Sequence, residues 1–127
     1  MRRAAIALAA AVALAAAVLA GAANAALAHA FLDHASPAVG STLPAAPPAV
    51  TLWFSQELEP AFSTVTVTDK AGNRVDRGDG AVDPKDPTEL HVTLKPLPPG
   101  SYKVIWRVVS VDTHKTEGDF GFVVGGR

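Results

Sequence analysis

Beyond residue 28 the chain is organised in short stretches where apolar and polar residues alternate. Ser63 to Thr68 sets Val65 and Val67 between threonines. Glu89 to Leu94 puts Leu90, Val92 and Leu94 on one face, and Asp119 to Val124 does the same with Phe120, Phe122 and Val124. The longest stretch, Tyr102 to Val111, aligns Tyr102, Val104, Trp106 and Val108. A period of two with β-branched and aromatic residues predicts strands with one buried face. Val50 to Phe54 predicts another strand, and Arg74 to Asp76 a short one. Lys70-Ala71-Gly72-Asn73 and Pro98-Pro99-Gly100 predict turns. Arg77 to Pro87, rich in Gly, Asp and Pro, predicts an exposed loop, and Ser36-Pro37 and Pro44 to Pro48 mark an irregular stretch. No segment has a helical period. About seven short strands between turn signals predict an all-β, antiparallel Greek-key sandwich. It forms one domain over residues 29–127, without internal repeats.

Residues 1–28 follow a different pattern. Arg2 and Arg3 precede an apolar run from Ile6 to Ala20, broken by Gly21 and Asn24. A positive start, an apolar middle and small residues at the end predict a secretory signal peptide. The uninterrupted run falls short of the roughly 20 residues that a membrane span needs. Two cuts satisfy the small-x-small rule. One after Ala25 would start the mature chain at Ala26; one after Ala28 would start it at His29. The expectation is an exported protein, soluble after cleavage.

Composition narrows the function. The 127 residues are 49% hydrophobic, but most of the alanine lies in the leader. Apart from Arg2 and Arg3, nine Lys+Arg face twelve Asp+Glu. That balance argues against a nucleic-acid binder, which shows a basic face. It also supplies no polybasic membrane patch. With no cysteine there is no disulfide, thiolate metal site or thiol catalysis. The single methionine is Met1.

Four histidines remain: His29, His34, His91 and His114. His91 falls on the polar side of its strand and His34 reads as a surface residue. Asp112 and His114 are two apart, so on a continuing strand both side chains would leave the same face. Taken alone, the pair also reads as an ordinary polar strand end. His29 changes its meaning if the second cut is used. A free α-amine and an imidazole on one residue close a chelate ring, and both deprotonate at modest cost near neutral pH. Together with the His114 imidazole and an Asp112 oxygen they make a set of three nitrogens and one oxygen. Such tetragonal ligation suits Cu(II). Lack of cysteine excludes a blue-copper site, and lack of a mature methionine excludes a thioether Cu(I) site.

Several motifs together resemble the CopC-type periplasmic copper-binding proteins. They are His29-Ala30-x-Leu32, Ser36-Pro37-Ala38-x-Gly40, Leu52-Trp53-Phe54-Ser55, and the block from Gly100 to His114 followed by Gly118-x-Phe120-x-Phe122. The resemblance covers essentially all of residues 29–127. It implies a cupredoxin-like or Ig-like sandwich, cleavage before His29, and one Cu(II) held by His29, Asp112 and His114. It also implies a role in copper homeostasis, resistance or delivery. An inner-membrane copper importer or a periplasmic multicopper oxidase would then be the partner. The chain departs from some members in having no methionine-rich loop in the region of about Asp69 to Val82, which resembles the Cu(II)-only branch. Gln56 stands where some members have a glutamate, with Glu57 beside it; neither is assigned to the ligand set. The expected protein is a monomeric binding protein, not an enzyme. Two alternatives from other classes are a copper monooxygenase using the N-terminal histidine and a metal-free interaction module. The eight aromatics, most of them on core faces, leave little for a polysaccharide surface.

Overall fold

The computed structural model describes residues 30–126. The leader and His29 therefore lie outside the described residues. Eight strands form two four-stranded sheets. β1 (Leu32–Ser36), β3 (Ala49–Phe54), β6 (Asp86–Thr93) and β5 (Ala81–Asp83) make one, in the order β1-β3-β6-β5. β2 (Thr42–Leu43), β8 (Lys115–Val124), β7 (Gly100–Val109) and β4 (Thr64–Asp69) make the other, in the order β2-β8-β7-β4. The chain changes sheet at every step except the hairpins β5–β6 and β7–β8, which is the crossing pattern of a Greek-key sandwich.

The alternation read from the sequence becomes the core. Val65 and Val67 from β4, Leu90 and Val92 from β6, and Val104, Trp106 and Val108 from β7 are buried between the sheets. Phe120, Phe122 and Val124 from β8 close the same layer. Trp106 meets Phe54 edge to face, with ring centroids 5.1 Å apart. Its indole lies over Gly118, the residue paired with it on β8. A Cβ at Gly118 would come within 2.6 Å of Trp106 Cζ2.

Four sequence expectations need correction. The sandwich is not wholly antiparallel, because β2 runs parallel to β8 at Thr42–Val123 and Leu43–Val124. The expected loop at 77–87 contains β5 and the start of β6, so its Gly, Asp and Pro residues flank a hairpin. The irregular stretch at 36–48 encloses β2, a strand too short to show a period. The expected strand at Arg74–Asp76 is instead a crossing segment with two isolated bridges, Thr68–Arg74 and Asp76–Leu94.

That crossing is organised by Asp76. Its buried carboxylate accepts from the Val67 amide at 2.8 Å, the Gly78 amide at 2.9 Å and the Arg74 guanidinium at 2.7 and 3.2 Å. Val67 belongs to β4, whereas the Asp76 backbone pairs with Leu94 just after β6. One side chain thus ties the margin of one sheet to the other. Burial works against the charged form of Asp76, but the Arg74 and amide hydrogen bonds outweigh it and hold the carboxyl below its usual range.

Candidate metal centre

The β7–β8 hairpin carries Asp112 and His114, though not on a strand. β7 ends at Val109, and the connection folds back tightly. The Ser110 amide donates to the His114 carbonyl at 3.0 Å, and the Thr113 amide donates to the Ser110 carbonyl at 2.8 Å. Thr113 takes a left-handed backbone with φ of 72°. The premise that a continuing strand would align the two side chains is therefore replaced: they converge because the turn brings them together. His114 Nδ1 lies 3.3 Å from Asp112 Oδ1, and both side chains are about half exposed, at 45% and 48%.

Beneath them lies Ser110, fully buried, whose hydroxyl donates to Asp112 Oδ1. The sequence reading missed this residue; its one signal is a serine following an unbroken core stripe. The Ser110 hydrogen bond is the main influence holding the Asp112 carboxyl below its ordinary range. The adjacent His114 adds to it, and partial desolvation opposes it. The carboxylate is thus held in its anionic form and oriented by Ser110.

Neighbouring segments brace the turn. Residues 57–59 run alongside it: the Val111 amide donates to the Glu57 carbonyl at 3.0 Å, and the Glu59 amide to the Val109 carbonyl at 2.7 Å. Buried Leu58 bridges to Ser110 between these bonds. Glu57 thus contributes a backbone oxygen to the frame. On the other side, the Thr116 hydroxyl donates to the carbonyl of buried Ala30 at 3.0 Å. The Phe31 amide donates to Ser55 Oγ at 2.9 Å, and the Ser55 amide donates back to the Phe31 carbonyl at 2.8 Å. The described chain therefore begins anchored beside β8, two residues beyond His114.

The other described histidines lie on the opposite sheet. His34, on the outer face of β1, stacks on Trp53 with ring centroids 4.4 Å apart and planes within 8°. Its Nδ1 sits 2.9 Å from the Asp33 carboxylate. His91 projects from the outer face of β6, as its place in the alternation implied. Asp83 and Glu89 stand beside it, a grouping hidden from the sequence because Asp83 falls in the segment read as a loop.

Fold and turn define a class: a small β-sandwich that presents an imidazole and a carboxylate from a braced hairpin turn. A CopC domain model matches residues 32–125. Protein YobA of Escherichia coli K12 is 41% identical over 98 residues, covering 76% of this chain and 79% of that protein. The crystal structure of CopC from Methylosinus trichosporium OB3b superposes with a TM-score of 0.68 at 36% identity, covering 76% of this chain and 94% of that one. PcoC, a methionine-rich copper resistance protein from Escherichia coli, gives 0.66 at 35% identity over 76% and 99%. The chain belongs to the CopC family of copper proteins. Its role is copper handling, in a family of copper-binding and copper resistance proteins rather than enzymes.

Proposed function

We propose that this chain is an exported Cu(II) carrier, released before His29 and working in the periplasm. The copper would be held by the α-amine and imidazole of His29, the imidazole of His114 and a carboxylate oxygen of Asp112. The observation that carries this reading is the Asp112–His114 contact on a turn whose carboxylate is fixed by buried Ser110. Anchoring of Ala30 to Thr116 supports it, because His29 directly precedes Ala30 in the sequence. The donor types favour Cu(II), which heads the divalent affinity order and prefers nitrogen and oxygen in tetragonal array. A chain whose one methionine is Met1 offers no thioether cluster for Cu(I), unlike a relative described as methionine-rich.

Capture releases protons from the amine and imidazoles, so affinity falls as pH drops through the imidazole range. Asp112, already anionic, costs no proton there. The half-exposed site lets a partner approach and take the ion; an inner-membrane importer or a multicopper oxidase is the partner class proposed. The test is Cu(II) titration with electron paramagnetic resonance on protein beginning at His29, against protein with one added N-terminal residue. Tight uptake of the first equivalent with a nitrogen-rich tetragonal spectrum, lost in the extended protein, is expected. Equal, weak binding by both would overturn the amine chelate.

A further inference from the structure

We propose that Asp83, Glu89 and His91 form a second site, for a first-row divalent cation such as Cu(II) or Zn(II), on the outer face of the β5–β6 hairpin. The site uses none of His29, Asp112 or His114, so it stands apart from the carrier reading. One ligand atom from each of the three lies within 4.8 Å of the other two. Metal–ligand bonds of about 2.0–2.2 Å require closer donors than that, and side-chain rotation can supply the difference, because all three groups are only partly buried.

The backbone beneath is well held. Glu89 and His91 alternate on β6, which is paired on both sides: Trp53 and Thr51 of β3 face them on one side, and Ala81 of β5 faces His91 on the other. Asp83 enters from β5, with one oxygen accepting the Lys85 amide at 2.8 Å. Neighbouring Asp86 is occupied, since its Oδ1 accepts from the Thr88 amide and hydroxyl. Asp79 is likewise occupied, since its carboxylate accepts from the Thr93 amide and hydroxyl.

The charges make the case. Among the described residues, no lysine or arginine forms an ion pair with Asp83, Glu89 or His91. Burial and the carboxylates of Asp83 and Asp86 push the Glu89 carboxyl up, and His91 offsets this only in part. A divalent ion would supply the positive charge that this group of carboxylates lacks. The donor set selects the metal class. Calcium takes six to eight oxygens and magnesium a near-octahedral oxygen shell, whereas one imidazole with two carboxylates suits borderline first-row ions. Three protein donors leave positions for water, so the ion should exchange readily.

The test is a Zn(II) titration of the native protein followed by amide NMR, repeated with Cu(II) after the first equivalent. Saturable shifts at Asp83, Glu89 and His91, separate from any at 110–114, are expected with Zn(II), and line broadening at the same amides with Cu(II). Saturation with Cu(II) alone would assign the site to copper. His91→Ala should weaken binding there about tenfold or more, since loss of even an outer partner of a metal ligand costs that much. Glu89→Gln, which keeps size and fold, should do the same, while His34→Ala should leave it unchanged. No saturable response to either ion, or a response unaltered in folded Glu89→Gln protein, would overturn the proposal. The carrier reading is read out independently at residues 110–114.

Discussion

The buried hydroxyl of Ser110 donates to the carboxylate of Asp112, so a residue at the end of the core stripe aims a side chain at the surface. Ser110→Ala removes this donor from beneath the turn. We expect Cu(II) affinity to drop about tenfold, the scale on which loss of an outer partner weakens a metal ligand. The Asp112 carboxyl should titrate at a higher pH in the variant. Competition titration with a chromogenic chelator and carboxylate NMR read the two effects. Unchanged affinity together with a raised Asp112 titration would separate orientation from binding and count against Asp112 as a ligand.

Thr113 holds a left-handed backbone that disfavours a β-branched residue by about 1–2 kcal/mol. Thr113→Gly relieves that cost but gives the unfolded chain more freedom, worth about 0.4–1 kcal/mol in the other direction. The expected balance is a small gain in stability, seen as a higher urea midpoint with an unchanged slope. A lower midpoint would mean that the Thr113 hydroxyl, which donates to the Asp112 carbonyl, outweighs the backbone cost.

Gly118 leaves room for the Trp106 indole. Gly118→Ala forces a rigid ring rather than a flexible chain end to move, and overpacking of this kind costs about 1–3 kcal/mol. Thermal unfolding should show the loss, and Trp106 fluorescence should shift. An unchanged transition would mean that the two strands separate more easily than their ten paired positions suggest.

Asp76 predicts an acid limit to stability. Its folded-state pKa lies below the unfolded value, so its contribution is full above the unfolded value of about 3.9. The contribution is lost as pH falls further, through the folded pKa. Asp76→Ala should cost about 1–3 kcal/mol near neutral pH by stranding the buried amide of Val67 and freeing Arg74 and the exposed Gly78 amide from their partner. It should also flatten the acid branch of the stability profile. Denaturant unfolding between neutral pH and pH of about 3 measures both; an acid branch as steep as in the native protein would place its origin elsewhere.

The alternation of Val65 and Val67, Leu90 and Val92, and the β7 and β8 stripes made the sandwich legible, because each strand buries one face. β2 and β5 escaped notice since two or three residues carry no period, and their places are set by neighbours distant in sequence. Asp112 and His114 were legible as a pair for an inexact reason: a strand was assumed where a turn stands. Ser110 was hidden because a buried serine gives no local pattern, and its role appears only when the turn folds over it. The Asp83–Glu89–His91 grouping depends on strand register, which a single chain read in order does not reveal. His29 lies outside the described residues, so its place in the ligand set rests on sequence and resemblance.

The position of Asp76 has a consequence beyond stability. β4 is an outer strand of its sheet, and its alternating threonines and valines would suit the addition of a strand from another molecule. Asp76 occupies the Val67 amide, while the Val75 amide donates to the Val67 carbonyl at 2.9 Å. Both backbone groups of the central valine are therefore taken by the crossing segment at Val75 and Asp76. The same carboxylate that joins the two sheets thus closes the middle of this margin to a strand from another molecule.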